Sequence, residues 1–147
     1  MGEKELTIDD FFKFAESMSK KINEFGTQKG IEEKFAKAMI NATDPDSRFK
    51  ADIAMKLSTA MGMIDMLVTY VNKPVRVEGL LQRKLDGSVM LDSTPIPAGS
   101  LVEFWKHDKW NIGRVVQDPK TKQNQIIDPV SNKVVIDKIE QIKARIR

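Results

Sequence analysis

The feature that most constrains this chain is a change of hydrophobic period at Lys73-Pro74. Before it, apolar residues recur every three to four positions; after it, they alternate or cluster in short runs between turn residues. A proline disfavours the helical conformation in the residue before it and donates no amide, so a helix arriving at Lys73 must stop. The pattern predicts an α+β chain with a helical unit over residues 1–73 and a β unit over 74–147. A length of 147 residues suits one compact domain or two small halves, and no flexible linker marks the boundary. The halves are therefore expected to pack together.

Three helices are legible. Thr7 with Asp10 three residues on offers a capping-box start, and Phe11, Ala15, Met18, Ile22 and Phe25 follow at helical spacing until Gly26. This predicts a first helix over 8–25. Ile31, Phe35, Ala38, Met39 and Ala42 repeat the stripe and predict a second over 30–42. Asp44-Pro45-Asp46 supplies a cap, a proline suited to the first turn and an acid at the positive end of the dipole. It starts a third helix over 45–72. The main stripe of that helix, Phe49, Ile53, Leu57, Ala60, Ile64, Leu67 and Val71, is the expected core face. A second flank, Met55, Thr59, Met63, Met66 and Tyr70, either packs on the β half or offers a Met-rich interface for a homodimer or a foreign partner.

Beyond Pro74 the turn signals come often. Strands are expected at 75–84 and 88–92 around Asp86-Gly87, at 101–106 and 110–117 around His107-Asp108-Lys109, and then at 123–128, 134–136 and 144–146. Residues 94–100 hold Pro95 and Pro97 and are expected as a loop, and 137–143 is left as a loop or a short helical turn. Five to seven short strands suggest a small SH3-like β-barrel against which the three-helix unit packs. No repeat relates the two halves.

Composition narrows the chemistry. The chain has no cysteine, which removes disulfides, thiolate nucleophiles, iron–sulfur ligation and cysteine zinc sites. The amino-terminal stretch lacks an apolar signal core, and the charge-poor run 57–72 is too short and polar for a span, so a cytoplasmic protein without membrane contact is expected. His107 is the one histidine, in an expected turn, and no serine elbow or phosphate-binding glycine loop is present. Paired acids such as Asp9-Asp10 and Asp44/Asp46 sit in first helical turns, where capping accounts for them. No catalytic residue, metal or cofactor is assigned, and a non-enzymatic protein is expected.

Charge and aromatics point to binding. The formal charge is +3, divided as 11 Lys and Arg against 12 Asp and Glu in residues 1–73, and 13 against 9 in 74–147. Within the basic half, Trp105, Lys106, Lys109, Trp110 and Arg114 lie in ten consecutive positions and form the candidate partner site. Strand alternation puts Val102 and Phe104 on one side and Glu103 and Trp105 on the other, which would leave Trp105 outside the core. A tryptophan among cations can stack a base near phosphates, or anchor a protein interface. Trp110 is expected to close the barrel.

The strings Val77-Glu78-Gly79-Leu80, Gly99-Ser100, Val102-Glu103-Phe104, Trp110, Gly113-Arg114-Val115 and Ala144-Arg145-Ile146 resemble a family of short β-rich domains of unknown function. That family is carried on plasmids, phages and conjugative elements of Gram-positive bacteria. The resemblance covers about residues 75–147 and implies a mobile-element origin more than an activity. Two functions follow as expectations. One is a protein-binding adaptor or inhibitor, such as an anti-CRISPR, whose partner is a host or mobile-element protein that handles nucleic acid. The other is direct nucleic-acid binding with the helices as a dimerisation unit.

Overall fold

The computed structural model describes residues 5–26, 28–136 and 138–147, with the side chains of Gln28, Lys29 and Met39 outside the description. Three helices, α1 (Ile8–Phe25), α2 (Gln28–Asn41) and α3 (Pro45–Val71), precede eight strands, β1 (Val77–Arg83), β2 (Val89–Leu91), β3 (Thr94–Ile96), β4 (Leu101–Lys106), β5 (Lys109–Gln117), β6 (Asn124–Ile127), β7 (Val134–Ile136) and β8 (Lys143–Ile146). The chain is α+β and divides into two compact units after Asn72. Among the described residues no helix is long and apolar enough to cross a membrane.

Local chemistry explains the helix starts. The Thr7 hydroxyl accepts the Asp10 amide at 3.1 Å, and the Asp10 carboxylate accepts the Thr7 amide at 3.2 Å, which satisfies two otherwise orphaned donors. At α3 the Asp44 carboxylate accepts the Ser47 amide at 2.9 Å, with Pro45 in the first turn.

The packed side of α3 is not the one its apolar stripe suggests. Both α1 and α2 lie against α3. The α1 contact is built on Asp65, whose carboxylate accepts the Ser19 hydroxyl at 2.6 Å and the Asn23 amide at 2.8 Å. Ser19, Ser58, Val68, Ile22 and Ile31 are buried in this unit. Advancing 100° per residue puts Ser58 and Asp65 on one side of α3 and the stripe from Phe49 to Val71 on the other. Phe49, Ile53, Leu57 and Val71 are accordingly exposed, which corrects their expected place in the core. Hydropathy marks an apolar face but not which surface covers it, and here small and polar side chains make the closest contact.

The sheet is antiparallel throughout, in the order β3-β2-β1-β8-β4-β5-β6-β7. One face holds a single core of Leu81, Leu91, Val102, Phe104, Val115 and Ile126 with their neighbours. The Asn124 amide donates to Gly87 O at 3.1 Å, and Arg83 Nη1 reaches both Gly87 O and Asn124 O, so the β1–β2 turn meets β6 although those strands are not ladder partners. Eight strands replace the expected five to seven. The added one is β3, in the segment around Pro95 where the prolines predict a loop. As an edge strand β3 can seat a proline without losing a ladder bond, and Pro95 lies opposite Met90. The segment before β8 forms a turn with Gln141 at φ 64° and plugs the core with the fully buried Ile139; Asp137 lies outside the described residues.

A local repeat sets the β5–β6–β7 meander. Asp118-Pro119 and Asp128-Pro129 open turns ten residues apart, and in each the aspartate carbonyl accepts the amide of the fourth residue on, Lys122 or Asn132, both at positive φ. The carboxylates accept further amides, Lys120 at 2.9 Å in the first turn and Val130 and Ser131 at 2.8 Å in the second. The Lys120 amide bond holds Asp118 below the ordinary aspartate range, and the Ser131 and Val130 amide bonds do the same for Asp128. A lowered folded pKa means that the turns contribute stability above the unfolded value of about 4 and lose it as pH falls through the folded value. In a carboxyl-carbon NMR titration both residues are expected to titrate below an unshifted aspartate, and a midpoint at or above that reference would contradict the turn account.

Candidate functional site

The face of the sheet opposite the core carries the polar and aromatic side chains. Register fixes which residues share it: Trp105 pairs with Trp110, Glu103 with Ile112, Leu101 with Arg114, and Arg145 of β8 stands against Glu103 on one side and Glu78 on the other. Side chains of paired residues project to the same face.

Trp110 sits at the centre of this arrangement. Its ring meets Trp105 edge to face with centroids 5.3 Å apart and an interplanar angle of 75°. The Arg145 guanidinium lies 4.1 Å from its centroid and Lys143 Nζ 5.5 Å, both within cation–π range. Trp110 is thus a half-buried member of the face and not the barrel closure expected of it. Trp105 is 42% exposed, as strand alternation indicated.

The cations are held by a buried carboxylate. Glu103, 8% exposed, accepts Arg145 Nε at 3.0 Å and Nη2 at 3.2 Å, and Arg147 Nε at 3.2 Å and Nη2 at 3.3 Å. Arg147 also donates through Nη1 to Lys73 O at 2.9 Å. Paired bonds from each guanidinium fix its plane as well as its position. Lys143 is bridged to Glu78 at 3.1 Å in a more exposed pair. Lys143, Arg145 and Arg147 thus pair with two carboxylates while Arg114 shares the face opposite Leu101, so four cations outnumber two acids there.

The five residues singled out from sequence do not stay together. Trp105, Trp110 and Arg114 share the face, whereas Lys106 and Lys109 are opposite one another one rung beyond, on the other side of the sheet. The reason is alternation: Lys106 follows Trp105 and Lys109 precedes Trp110, so each projects opposite its neighbour, and the turn sets their pairing. His107 and Asp108, at φ 55° and 58°, close a two-residue hairpin of the type that matches strand twist, so Lys109 belongs to β5. Lys106 Nζ turns to Val135 O at 3.3 Å and, with Trp105, Val135, Ile136, Lys138 and Ile142, lines an open groove of about 500 Å³. Lys109 is exposed. The cations that do attend the tryptophans, Lys143 and Arg145, come from the last strand and were missed. The alternation of Lys143, Arg145 and Arg147 was visible, but its pairing with β4, some forty residues upstream, was not.

The second candidate group is largely covered, as the packing alternative for this flank expects. Met55, Met63 and Met66 are half-buried and Tyr70 is buried, so this flank of α3 is not an open contact surface. His107 is an exposed turn residue. Among the described residues no three His, Cys, Asp or Glu side chains cluster as metal ligands would. Compared with protein-family models, with curated proteins and with solved structures, the chain matches none.

Proposed function

We propose that this chain is a non-enzymatic accessory protein that binds an acidic protein surface through the Trp105–Trp110 face of its sheet. The observation that carries the reading is the exposed Trp105 braced against Trp110, with Arg145 stacked on Trp110 and tied to Glu103. Aromatic and arginine side chains fixed before binding lose little freedom when a partner arrives. The groove beside Trp105, with an apolar floor and Lys106 and Lys138 in its lining, would receive a side chain of that partner. We also read the sheet unit as an SH3-like small barrel, supported by its single core and by the bond between Gly87 and Asn124.

A protein partner is preferred to nucleic acid because Glu78 and Glu103 lie among the four cations. Carboxylates at this spacing oppose a phosphate backbone, whereas a protein surface can offer lysines and acids in register. With the resemblance of the β half, this makes a mobile-element adaptor or inhibitor, of anti-CRISPR type or another anti-defence class, the functional reading.

The test is capture from a bacterial lysate by the immobilised full chain, with and without nuclease, followed by affinity measurement for the captured protein. Trp105→Ala is expected to keep the fold and weaken binding by tenfold or more, the order of a hot-spot aromatic. Undiminished binding by a folded Trp105→Ala protein would place the site elsewhere. Loss of every captured protein on nuclease treatment, with affinity for single-stranded DNA falling steeply as salt rises, would favour nucleic acid instead.

A further inference from the structure

The exposed stripe of α3 has a spacing that random surface apolars lack. From Ile53 the apolar positions advance by four, three, four, three and four residues through Leu57, Ala60, Ile64, Leu67 and Val71. This is an unbroken heptad seam, with Leu57, Ile64 and Val71 at a and Ile53, Ala60 and Leu67 at d. An amphipathic helix of a single unit turns its seam inward. Here the seam points away from Ser58 and Asp65, the positions that hold α3 against its own unit. Leu57 is 59% exposed, Ile53, Ala60 and Val71 are exposed too, and Ile64 and Leu67 are half-buried; Phe49, just before the seam, is 66% exposed.

We infer that the α3 seam pairs with the α3 seam of a second copy, making the protein a two-stranded dimer through its helical unit. Three observations select a second copy over other occupants. A 3–4 repeat is the spacing that meshes with an identical repeat, and β-branched residues at two of three a positions with Leu67 at d suit two strands. No seam position is charged and the flanking e and g positions hold one charge, Lys56, so two copies meet without like-charge opposition. The helical half is also near neutral, with 11 cations against 12 acids. At on the order of 100 Å² for each exposed large side chain, the seam and Phe49 offer roughly 400 to 500 Å² per copy. Two copies bury roughly 900 Å², below the range of stable specific interfaces and in that of weak, transient pairs, so dimerisation is expected no tighter than the micromolar range. This pairing does not rest on the sheet-face reading and needs no foreign partner.

Sedimentation equilibrium of the full chain from roughly 1 to 200 µM tests it. The wild type is expected to pass from monomer to dimer, and Leu57→Glu to stay monomeric across the range with an unchanged circular dichroism spectrum. If Leu57→Glu loses helicity, Ala60→Glu, at another exposed seam position, is measured in its place. A wild type that is monomeric throughout overturns the inference, and so does a dimer that survives the seam charge in a folded variant.

Discussion

Replacing Glu103 with Gln is expected to lower the stability of the sheet unit by about 2–4 kcal/mol, at or just below the roughly 3–5 kcal/mol for a fully buried ion pair that loses one partner, because the arginines keep some contact with water. The change conserves shape, so the cost is electrostatic. One carboxylate accepts four charge-assisted bonds from Arg145 and Arg147, whose side chains are 21% and 19% exposed. An amide keeps one acceptor and turns an NH2 toward guanidinium donors, leaving two poorly solvated cations with no negative charge between them. Arg147→Ala should cost less, about 1 kcal/mol, because the remaining Glu103–Arg145 pair is still satisfied. Urea unfolding reads both: the Glu103→Gln midpoint should fall with the m-value unchanged. A loss below about 1 kcal/mol would show that water already screens the network. The same substitution should loosen Arg145 over Trp110, coupling the stability of the sheet to the order of its outer face.

That network shows what a sequence can and cannot disclose. Helix starts were legible because their chemistry is local: Thr7 with Asp10, and Asp44 with Pro45, act within four residues, and the starts of α1 and α3 fall where these signals put them. Strand alternation was legible too, and it put Glu103 and Trp105 on one face. What misled was adjacency along the chain. Lys106 and Lys109 lie beside the tryptophans in sequence, yet strand alternation turns each to the face opposite its neighbour, and the two-residue turn pairs them there. Lys143 and Arg145 are distant in sequence and reach Trp110 only because β8 slots between β1 and β4. The α3 stripe failed for a different reason. Burial in the helical unit follows the hydrogen bonds of Ser19, Asn23 and Asp65, and short polar side chains contribute little to a hydrophobic period.

Two glycines of the sheet separate packing from turn chemistry, and Gly113→Ala is expected to cost about 2–3 kcal/mol, at the upper end of small-to-large core changes. A Cβ on Gly113 would stand 2.3 Å from the Ile126 Cγ2 methyl and 3.2 Å from Phe104 Cε1. Ile126 is fully buried and β-branched, so its methyl cannot swing aside without moving β6 or leaving its rotamer. A Cβ on Gly79 would come closer still, onto an Asp92 carboxylate oxygen, yet Gly79→Ala should cost only about 1 kcal/mol. The obstacle there is the end of an exposed side chain, and rotating it away sacrifices one bond, from the Leu80 amide at 3.0 Å. Neither glycine has the positive φ that would make a side chain strained on backbone grounds, so the difference isolates what the Cβ meets. Chemical denaturation of the two variants should rank Gly113→Ala as the more destabilised by a kcal/mol or more. The opposite order would mean that the interior around Ile126 yields more readily than its full burial implies, and that the Asp92 carboxylate, not the apolar contact, fixes the path of the chain.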